Sequence, residues 1–366
     1  MKILYVTTVS VTMNFFPAHI RMLLDAGHTV ELACNCEQPV NPVYAEWGCR
    51  VHHIPFSRSP FSRDNLAAYR ALRGLLVDGG YDIVHTHTPN ASAMVRLACR
   101  DLRKKGTRVF YTAHGFHFFK GGPRKNWLLY YPVEKLCARW TDVLITINTE
   151  DYALARRKMK AGQVVYIPGV GLDLEKYSCP DTRAAKRQEF GIPADAYVLL
   201  TVGELNANKN QATVIRALAG LHDPSVHYVL AGRGENEDAL RRLANELGVA
   251  EQVHLLGYRT DVPEIYPAAD VYLCPSFREG LNVSIMEAMS SGLPLLCSDI
   301  RGNRDLVSVP EGGLLVPPGD PAAWQKAVAE LRGRNGCACN QEKVRAFSQN
   351  IVLDMLGGIY DGANHK

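Results

Sequence analysis

The sequence predicts an α/β protein built from two Rossmann-like domains, each a parallel sheet covered on both faces, with the two facing across a cleft. Three observations carry this expectation. Apolar runs of strand length alternate with amphipathic segments of helix length. The strand segments are nearly continuous in Val, Ile and Leu, as in strands buried on both faces. The pattern stops at a stretch rich in Pro and Gly, residues 168–181, and then begins again.

The elements follow in order. KILYVTT (2–8) is a strand, and FFPAHIRMLLDAG is a helix closed by Gly27. Strands at 29–35 and 51–56 precede the helix NLAAYRALRGLLVDG. DIVHTHT (82–88) is a strand, and SAMVRLACRDLRKKG a helix stopped by Gly106. Strands at 108–115 and 142–148 flank the basic, aromatic segment KNWLLYYPVEKLCARW. TEDYALARRKM opens as a helix with Thr149 as N-cap and acids in its first turn. After the break, strands at 197–203, 227–232, 253–257, 271–276, 293–298 and 312–317 alternate with helices such as NQATVIRALAGL and EDALRRLANELG. EKVRAFSQNIVLDMLGGIY ends the chain in one or two helices. The expected division is an N-terminal domain over 1–170, a C-terminal domain over 171–345, and a helix over 346–366 crossing back to the N-terminal domain.

A length of 366 residues suits two domains, and 47% hydrophobic with 21% charged residues is ordinary for a soluble globular chain. The net charge of +4 permits an anionic substrate or membrane surface without demanding one. MKILYVTTVS has a short apolar run and no small-residue cleavage site, so it does not read as a signal peptide. No stretch approaches the roughly 18 apolar residues of a spanning helix, and a cytoplasmic location is expected. Ten cysteines include the pairs Cys34/Cys36 and Cys337/Cys339, without the spacing of a zinc ribbon or disulfide scaffold. No metal site is expected, and no motif supports nucleic-acid binding.

Ligands of open parallel sheets bind beyond the carboxyl ends of the strands, which directs attention to the loops that follow them. No G-x-G-x-x-G follows the first strand, and no G-x-x-x-x-G-K-[ST] occurs, so simple dinucleotide or P-loop chemistry is disfavoured. AGRGE (231–235) and PGVG (168–171) read as turns at least as readily as phosphate sites. PSFREGLNVSIMEAMSSG reads as strand, loop and helix, with Asn282 as N-cap. The amides of Gly280, Leu281 and Asn282 then lie at a helix N-terminus, which suits an anion. Glu279 lies in the loop, and Glu287, inside the helix, is able to accept bonds from a polyol such as ribose. Taken alone, Glu279 reads equally as a solvated loop acid and Glu287 as the partner of an arginine. Lys209 in VGELNANKNQ is placed to meet a phosphate as a point charge. His114 and Gly115 end a strand in YTAHGFHFF, and His85 and His87 share one face of their strand. The three histidines read as polar lining rather than a metal set.

These motifs resemble the retaining glycosyltransferases of family 4, with the two-domain GT-B fold, over nearly the whole length. The resemblance is carried by YTAHGFHFFKG, TDVLITINTEDY, VGELNANKNQ, the segment from LLGYRTDVPEIYP to CSDIRGNRDLV, and GGLLVPPGDP. The seven-residue interval between Glu279 and Glu287 is its most specific part. The versions HGFHFF and GELNxNKN look like bacterial enzymes of exopolysaccharide and capsule assembly. By position, the resemblance implies that Glu279 contacts the donor sugar. Gly280, Leu281 and Asn282 meet sugar and phosphate through the backbone, Glu287 binds the ribose, and Lys209 binds the diphosphate. His114 stands near the donor sugar and reacting centre, and Tyr258 and Arg259 lie where the base is read. Gly203 belongs to the diphosphate loop. The family often has arginine just after that glycine, where this chain has Glu204; Arg233 is then a candidate for the missing charge, with Glu204 turned away or paired with a cation such as Lys209. The first loop lacks the family's glycines and is expected to shape the acceptor pocket instead.

The implied activity is transfer of a sugar from a UDP-sugar to a glycan or a polyprenyl-diphosphate-linked acceptor in cell-surface polysaccharide synthesis. Configuration is retained, no essential cofactor or metal is needed, and the catalytic set is His114, Glu279 and Lys209. Closure of the domains about the linker would exclude water. Two other functions share the fold: a UDP-sugar 2-epimerase, and a non-catalytic subunit that binds a nucleotide-sugar. The segment 118–140 mixes Lys120, Arg124 and Lys125 with Trp127, Tyr130 and Tyr131. It reads either as a peripheral contact with the inner face of the membrane or as an ordinary amphipathic helix with one face in the core.

Overall fold

The computed structural model describes residues 1–60, 62–178, 181–334 and 336–364. Its first sheet holds seven strands: β1 (Lys2–Val9), β2 (Thr29–Asn35), β3 (Arg50–His53), β4 (Ile83–Thr86), β5 (Arg108–Ala113), β6 (Val143–Thr146) and β7 (Gln163–Tyr166). All pair in parallel, in the order β3-β2-β1-β4-β5-β6-β7. Strand β1 shows why the sequence folds this way. Ile3 and Tyr5 enter one core, shared with the Pro17–Asp25 helix, while Leu4 and Val6 enter another, under the Asp64–Gly79 and Pro89–Ala98 helices. A strand with a core on each side has no polar face to offer, hence the continuous apolar run.

The second sheet holds β8 (Tyr197–Val202), β9 (Val226–Ala231), β10 (Val253–Gly257), β11 (Val271–Cys274), β12 (Leu295–Ser298) and β13 (Gly313–Val316). These too are parallel, in the order β10-β9-β8-β11-β12-β13. Both sheets are doubly wound. The strand order reverses between β1 and β4 in one and between β8 and β11 in the other, and the crevice at such a reversal is where open sheets bind ligands.

The chain forms two compact units, Met1–Val170 with Asn350–Lys366, and Gly171–Gln349. The terminal helix Gln349–Asn364 supplies Val352, Leu356 and Tyr360, at helical spacing, to the core that contains Ile3 and Tyr5. Residues 346–349 stay with the second unit, where Leu172 N donates to Phe347 O (3.0 Å) and Gln349 N to Leu172 O (2.8 Å).

Several local expectations are corrected. Strand β7 was not anticipated; QVVY is only four residues long and follows a polar stretch. The strand expected over 51–56 ends at His53, two residues before Pro55. The helix expected from Ser92 begins at Pro89, a residue suited to a first turn, and ends at Ala98, followed by a 3-10 turn over Leu102–Lys105. Asn148, not Thr149, caps the Thr149–Lys158 helix, its side chain accepting from Asp151 N at 2.8 Å. The proposed linker 168–181 contains a 3-10 turn, Glu175–Tyr177, with Tyr177 buried; Cys179 and Pro180 lie outside the described residues. The nine described cysteines are free thiols, seven of them buried.

Candidate functional site

In the second unit, the β8 and β11 loops meet at the strand-order reversal and are joined by hydrogen bonds. Phe277 N donates to Asn208 O (2.8 Å), Asn208 Nδ2 to Arg278 O (3.0 Å) and Asn210 Nδ2 to Pro275 O (3.0 Å). Asn210 adopts a left-handed backbone, φ 56°, a conformation that asparagine tolerates better than most residues. The two candidate side chains meet directly, with Lys209 Nζ 2.8 Å from Glu279 Oε1. Burial pulls the Lys209 ammonium down, but Glu279 more than offsets this, and its pKa lies above the ordinary lysine value. Of the two arrangements expected for Glu204, turned away or paired with a cation such as Lys209, the first is found: Glu204 is exposed, and Lys209 bonds Glu279.

The β9 loop supports this arrangement through close backbone approach. Gly203 N donates to Ala231 O, and Leu205 N to Arg233 O, each at 3.0 Å. A Cβ on Gly232 would lie 1.9 Å from Gly203 O, so a side chain there would push the Gly203 loop away. The glycines of AGRGE thus serve packing of one loop on another. Arg233 is exposed, its guanidinium 4.9 Å from the centre of the exposed Tyr258 ring. Arg259 is committed elsewhere. It bonds Asp261 (2.8 and 2.5 Å) and Glu189 (2.6 Å), in a network with Lys186 and Glu264.

Asn282 caps the Val283–Ser290 helix as expected, Oδ1 accepting from Ile285 N at 3.3 Å, while its Nδ2 donates to Cys274 Sγ at 3.4 Å. The helix N-terminus is therefore oriented by a buried side chain anchored to the end of β11. Gly302, with φ 76°, brings the β12 loop onto this turn; a Cβ there would lie 2.2 Å from Gly280 O.

Glu287 is bound by tyrosines rather than by an arginine. Tyr177 OH donates to Oε1 and Tyr266 OH to Oε2, both at 2.6 Å. Burial, then the Glu287 charge, raise the Tyr266 phenol well above its usual pKa, so it stays a donor. Each carboxylate oxygen keeps further acceptor capacity for a ligand hydroxyl. Sequence reasoning missed both tyrosines. They lie 110 and 21 positions from Glu287, and no local spacing announces them.

In the first unit, His114 follows β5, and its Nε2 is 3.2 Å from His87 Nδ1, one ring donating to the other. His87 stacks on Tyr5 (4.5 Å between centres) and lies 4.3 Å from His85. His85 in turn meets Tyr360 OH (2.6 Å) and Thr112 Oγ1 (2.8 Å). Burial first, then neighbouring His19, push His114 down to about 4; burial likewise lowers His19 to about 4, against the opposing pull of the Val170 carbonyl. At neutral pH the cluster is uncharged, so each ring carries one N–H and one acceptor nitrogen, and His87 Nε2 is buried without a partner among the described residues. Among the described residues no group of three or more His, Cys, Asp or Glu is arranged to hold a metal ion.

Comparison with known proteins follows the division of the fold. Residues 182–350 match the family model for glycosyl transferases group 1, and residues 18–169 that for a glycosyl transferase 4-like domain. A Bacillus subtilis protein bearing a glycosyltransferase name, EpsD, is 39% identical over 336 residues, covering 90% of this chain and 87% of its own. The Escherichia coli UDP-Gal:alpha-D-GlcNAc-diphosphoundecaprenol alpha-1,3-galactosyltransferase is 29% identical over 349 residues, covering 90% and 88%. Among solved structures, Anabaena HepE in complex with UDP superposes with a TM-score of 0.79 at 20% identity, covering 99% of this chain and 100% of that one. Sucrose-phosphate synthase of Thermosynechococcus elongatus gives 0.80 at 22%, covering 99% of each. At these identities the structures speak for the fold alone, which is that of two Rossmann-like domains.

Proposed function

The chain belongs to the glycosyltransferases, with a group 1 C-terminal domain and a 4-like N-terminal domain, and from that premise we propose that it is a retaining enzyme moving a sugar from a UDP-sugar to a lipid-linked or glycan acceptor in polysaccharide synthesis. The observation that carries the reading is the meeting of Lys209, Glu279 and the Asn282-capped helix at one strand-order reversal, with Glu287 on the same helix. What supports UDP as the nucleotide, and a lipid diphosphate as the acceptor, is the donor and acceptor in the name of the Escherichia coli relative.

In this reading the diphosphate lies at the N-terminus of the Val283–Ser290 helix, where free amides and Lys209 stabilise the charge that develops as the bond to the sugar breaks. Glu287, held by Tyr177 and Tyr266, accepts from the ribose hydroxyls. Glu279 accepts from the sugar hydroxyls and leaves Lys209 to the phosphate. His114, in the first unit, is neutral at pH 7 and is able to hydrogen-bond a sugar hydroxyl without adding charge. The acceptor oxygen bonds to the anomeric carbon on the face from which the phosphate departs. The acceptor proton passes to that leaving phosphate oxygen, so no side chain is needed as base. Leu128, Leu129, Val133 and Leu136 are exposed on the Arg124–Cys137 helix beside exposed Arg124, Lys125 and Lys135, and form the surface that meets an anionic membrane. No helix among the described residues is long and apolar enough to cross one.

The test is a panel of UDP-sugars with and without a polyprenyl-diphosphate sugar, following UDP release and the anomeric configuration of the product. Release that depends on acceptor, with retained configuration, is expected. Inverted product removes the retaining mechanism, and interconversion of the sugars without transfer replaces transferase by epimerase.

A further inference from the structure

Two cavities of the first unit adjoin, and the smaller is the richer in polar side chains. One, of about 260 Å³, is lined by Thr8, Thr12, Thr88, Asn90 and Arg58 among others. It lies at the carboxyl ends of β1 and β4, the point of strand-order reversal, where Thr88 Oγ1 ties the two strands by accepting from Thr8 N at 2.7 Å. The other, of about 370 Å³, has mainly apolar walls, including Ala93, Met94, Phe116, Phe118, Leu129 and Val133. Its volume is within the roughly 300–1,000 Å³ of small-molecule sites. The cavities share Pro60, Pro89, Asn90, His117 and Tyr130 as a common wall.

We propose that the pair holds one amphiphilic acceptor, a diphosphate joined to a long apolar chain, with the head beside Arg58 and the beginning of the chain in the apolar cavity. The inference rests on the lipid-linked acceptor of the reading above, and adds where that lipid is recognised.

Charge is the first argument. Among the described residues Arg58 is the only charged side chain lining the smaller cavity, and no carboxylate pairs with it. Its loop is held in place by Asn90, whose Nδ2 donates to Ser57 O (3.2 Å) and Arg58 O (2.7 Å). An anion placed there meets an uncompensated cation on an anchored backbone. Among the described residues the apolar cavity has one lining carboxylate, Glu134, and it is neutralised by Arg96 at 2.8 Å. It thus offers no net charge to a polar ligand and a favourable surface to a hydrocarbon. Access is the second argument. Leu129 and Val133 line the cavity and are also about half exposed on the Arg124–Cys137 helix, so apolar surface runs from the cavity wall to the outside of the unit. A soluble glycan would leave this apolar volume empty.

Calorimetric titration of the full chain with farnesyl diphosphate tests the site without requiring transfer. Farnesyl diphosphate should bind at least tenfold more tightly than either farnesol or inorganic diphosphate alone. Ala93→Trp, which fills the apolar cavity, should weaken it at least tenfold while leaving UDP binding unchanged. Val133→Glu, at a half-exposed position on the cavity rim, should do the same and keeps the test if Ala93→Trp does not fold. Arg58→Gln should weaken farnesyl diphosphate and inorganic diphosphate but not farnesol. A dodecyl diphosphate titration separates isoprenoid from straight-chain lipid. Equal binding by wild type and both cavity variants overturns the proposal. If farnesyl diphosphate binds as described but no sugar is moved, the transferase reading fails and the lipid site stands. If Ala93→Trp and Val133→Glu transfer to lipid acceptors as fast as wild type, the site fails and the transferase reading stands.

Discussion

Glu134→Leu should destabilise the first unit far more than its single lost ion pair suggests. Arg96 is 1% exposed. Its guanidinium donates from Nε to Ser92 O (3.0 Å) and from Nη1 to Glu134 Oε2 (2.8 Å), and lies 4.2 Å from the centre of the Tyr111 ring. Tyr111 OH donates to the other carboxylate oxygen at 3.3 Å. Removing the carboxylate leaves the charge buried against one carbonyl and a ring, and breaking such a pair from one side costs about 3–5 kcal/mol. Glu134→Gln keeps a neutral acceptor in the same place and should cost less, about 1.5–3 kcal/mol, the worth of a hydrogen bond to a charged group. Arg96→Met with Glu134→Leu removes both charges, and should be more stable than Glu134→Leu alone, because nothing charged is then left without a partner. Differential scanning calorimetry reads the melting of this unit. At roughly 2–4 °C per kcal/mol for a unit of this size, Glu134→Leu should lower its Tm by about 6–20 °C. Tryptophan fluorescence assigns the transition, since Trp47, Trp127 and Trp140 lie in the first unit and only Trp324 in the second. If the double variant is as unstable as Glu134→Leu, the cost is one of packing, and the argument from an unpaired charge is wrong.

Other outcomes follow from the same geometry. His19 is buried, with its pKa lowered to about 4; the unfolded chain, with histidine near 6.5, takes up its proton first. Stability from this residue is full above pH 6.5 and falls as the pH drops towards 4, by about 3 kcal/mol in all, so urea midpoints of the first unit should decline across that window, and a flat profile refutes the assignment. Glu287→Ala should weaken UDP binding in a calorimetric titration, and Tyr266→Phe should do so to a smaller degree, whereas Glu279→Ala should chiefly slow transfer; negligible effects at both glutamates would sink the donor-site assignment. Asn282→Ala removes a cap and should lower stability by about 0.5–2 kcal/mol in urea unfolding, with weaker UDP binding because the helix N-terminus loses its anchor to Cys274.

What could be read in the sequence was what depends on local pattern. The continuous apolar strands gave the doubly wound sheets, and Asn282 before an apolar helix gave its own cap. The short strand β7 escaped because four residues after a polar stretch do not establish a period. The partners of Glu287 escaped for a different reason. Tyr177 sits in a segment that looked like linker, Tyr266 in another loop-rich stretch, and only the packed fold brings the hydroxyls to the carboxylate. Glu204 was expected to turn away or to pair with a cation such as Lys209; the sequence did not show that Lys209 reaches across to Glu279, where the β8 and β11 loops are joined through Asn208 and Asn210. Long-range hydrogen bonds between polar loops leave no periodic trace.

The terminal helix carries a consequence for how the chain is made. Val352, Leu356 and Tyr360 complete a core whose other members, among them Ile3, Tyr5 and Phe16, are synthesised well before them. The second unit is whole once residue 349 has emerged, but the first must wait for the residues of the following helix. Until then its β1 and β2 expose apolar surface that nothing later in their own segment can cover. A nascent chain therefore supplies the whole of its second unit before it completes its first, and a truncation before Val352 would damage the core around Ile3 and Tyr5 rather than the unit that directly precedes it.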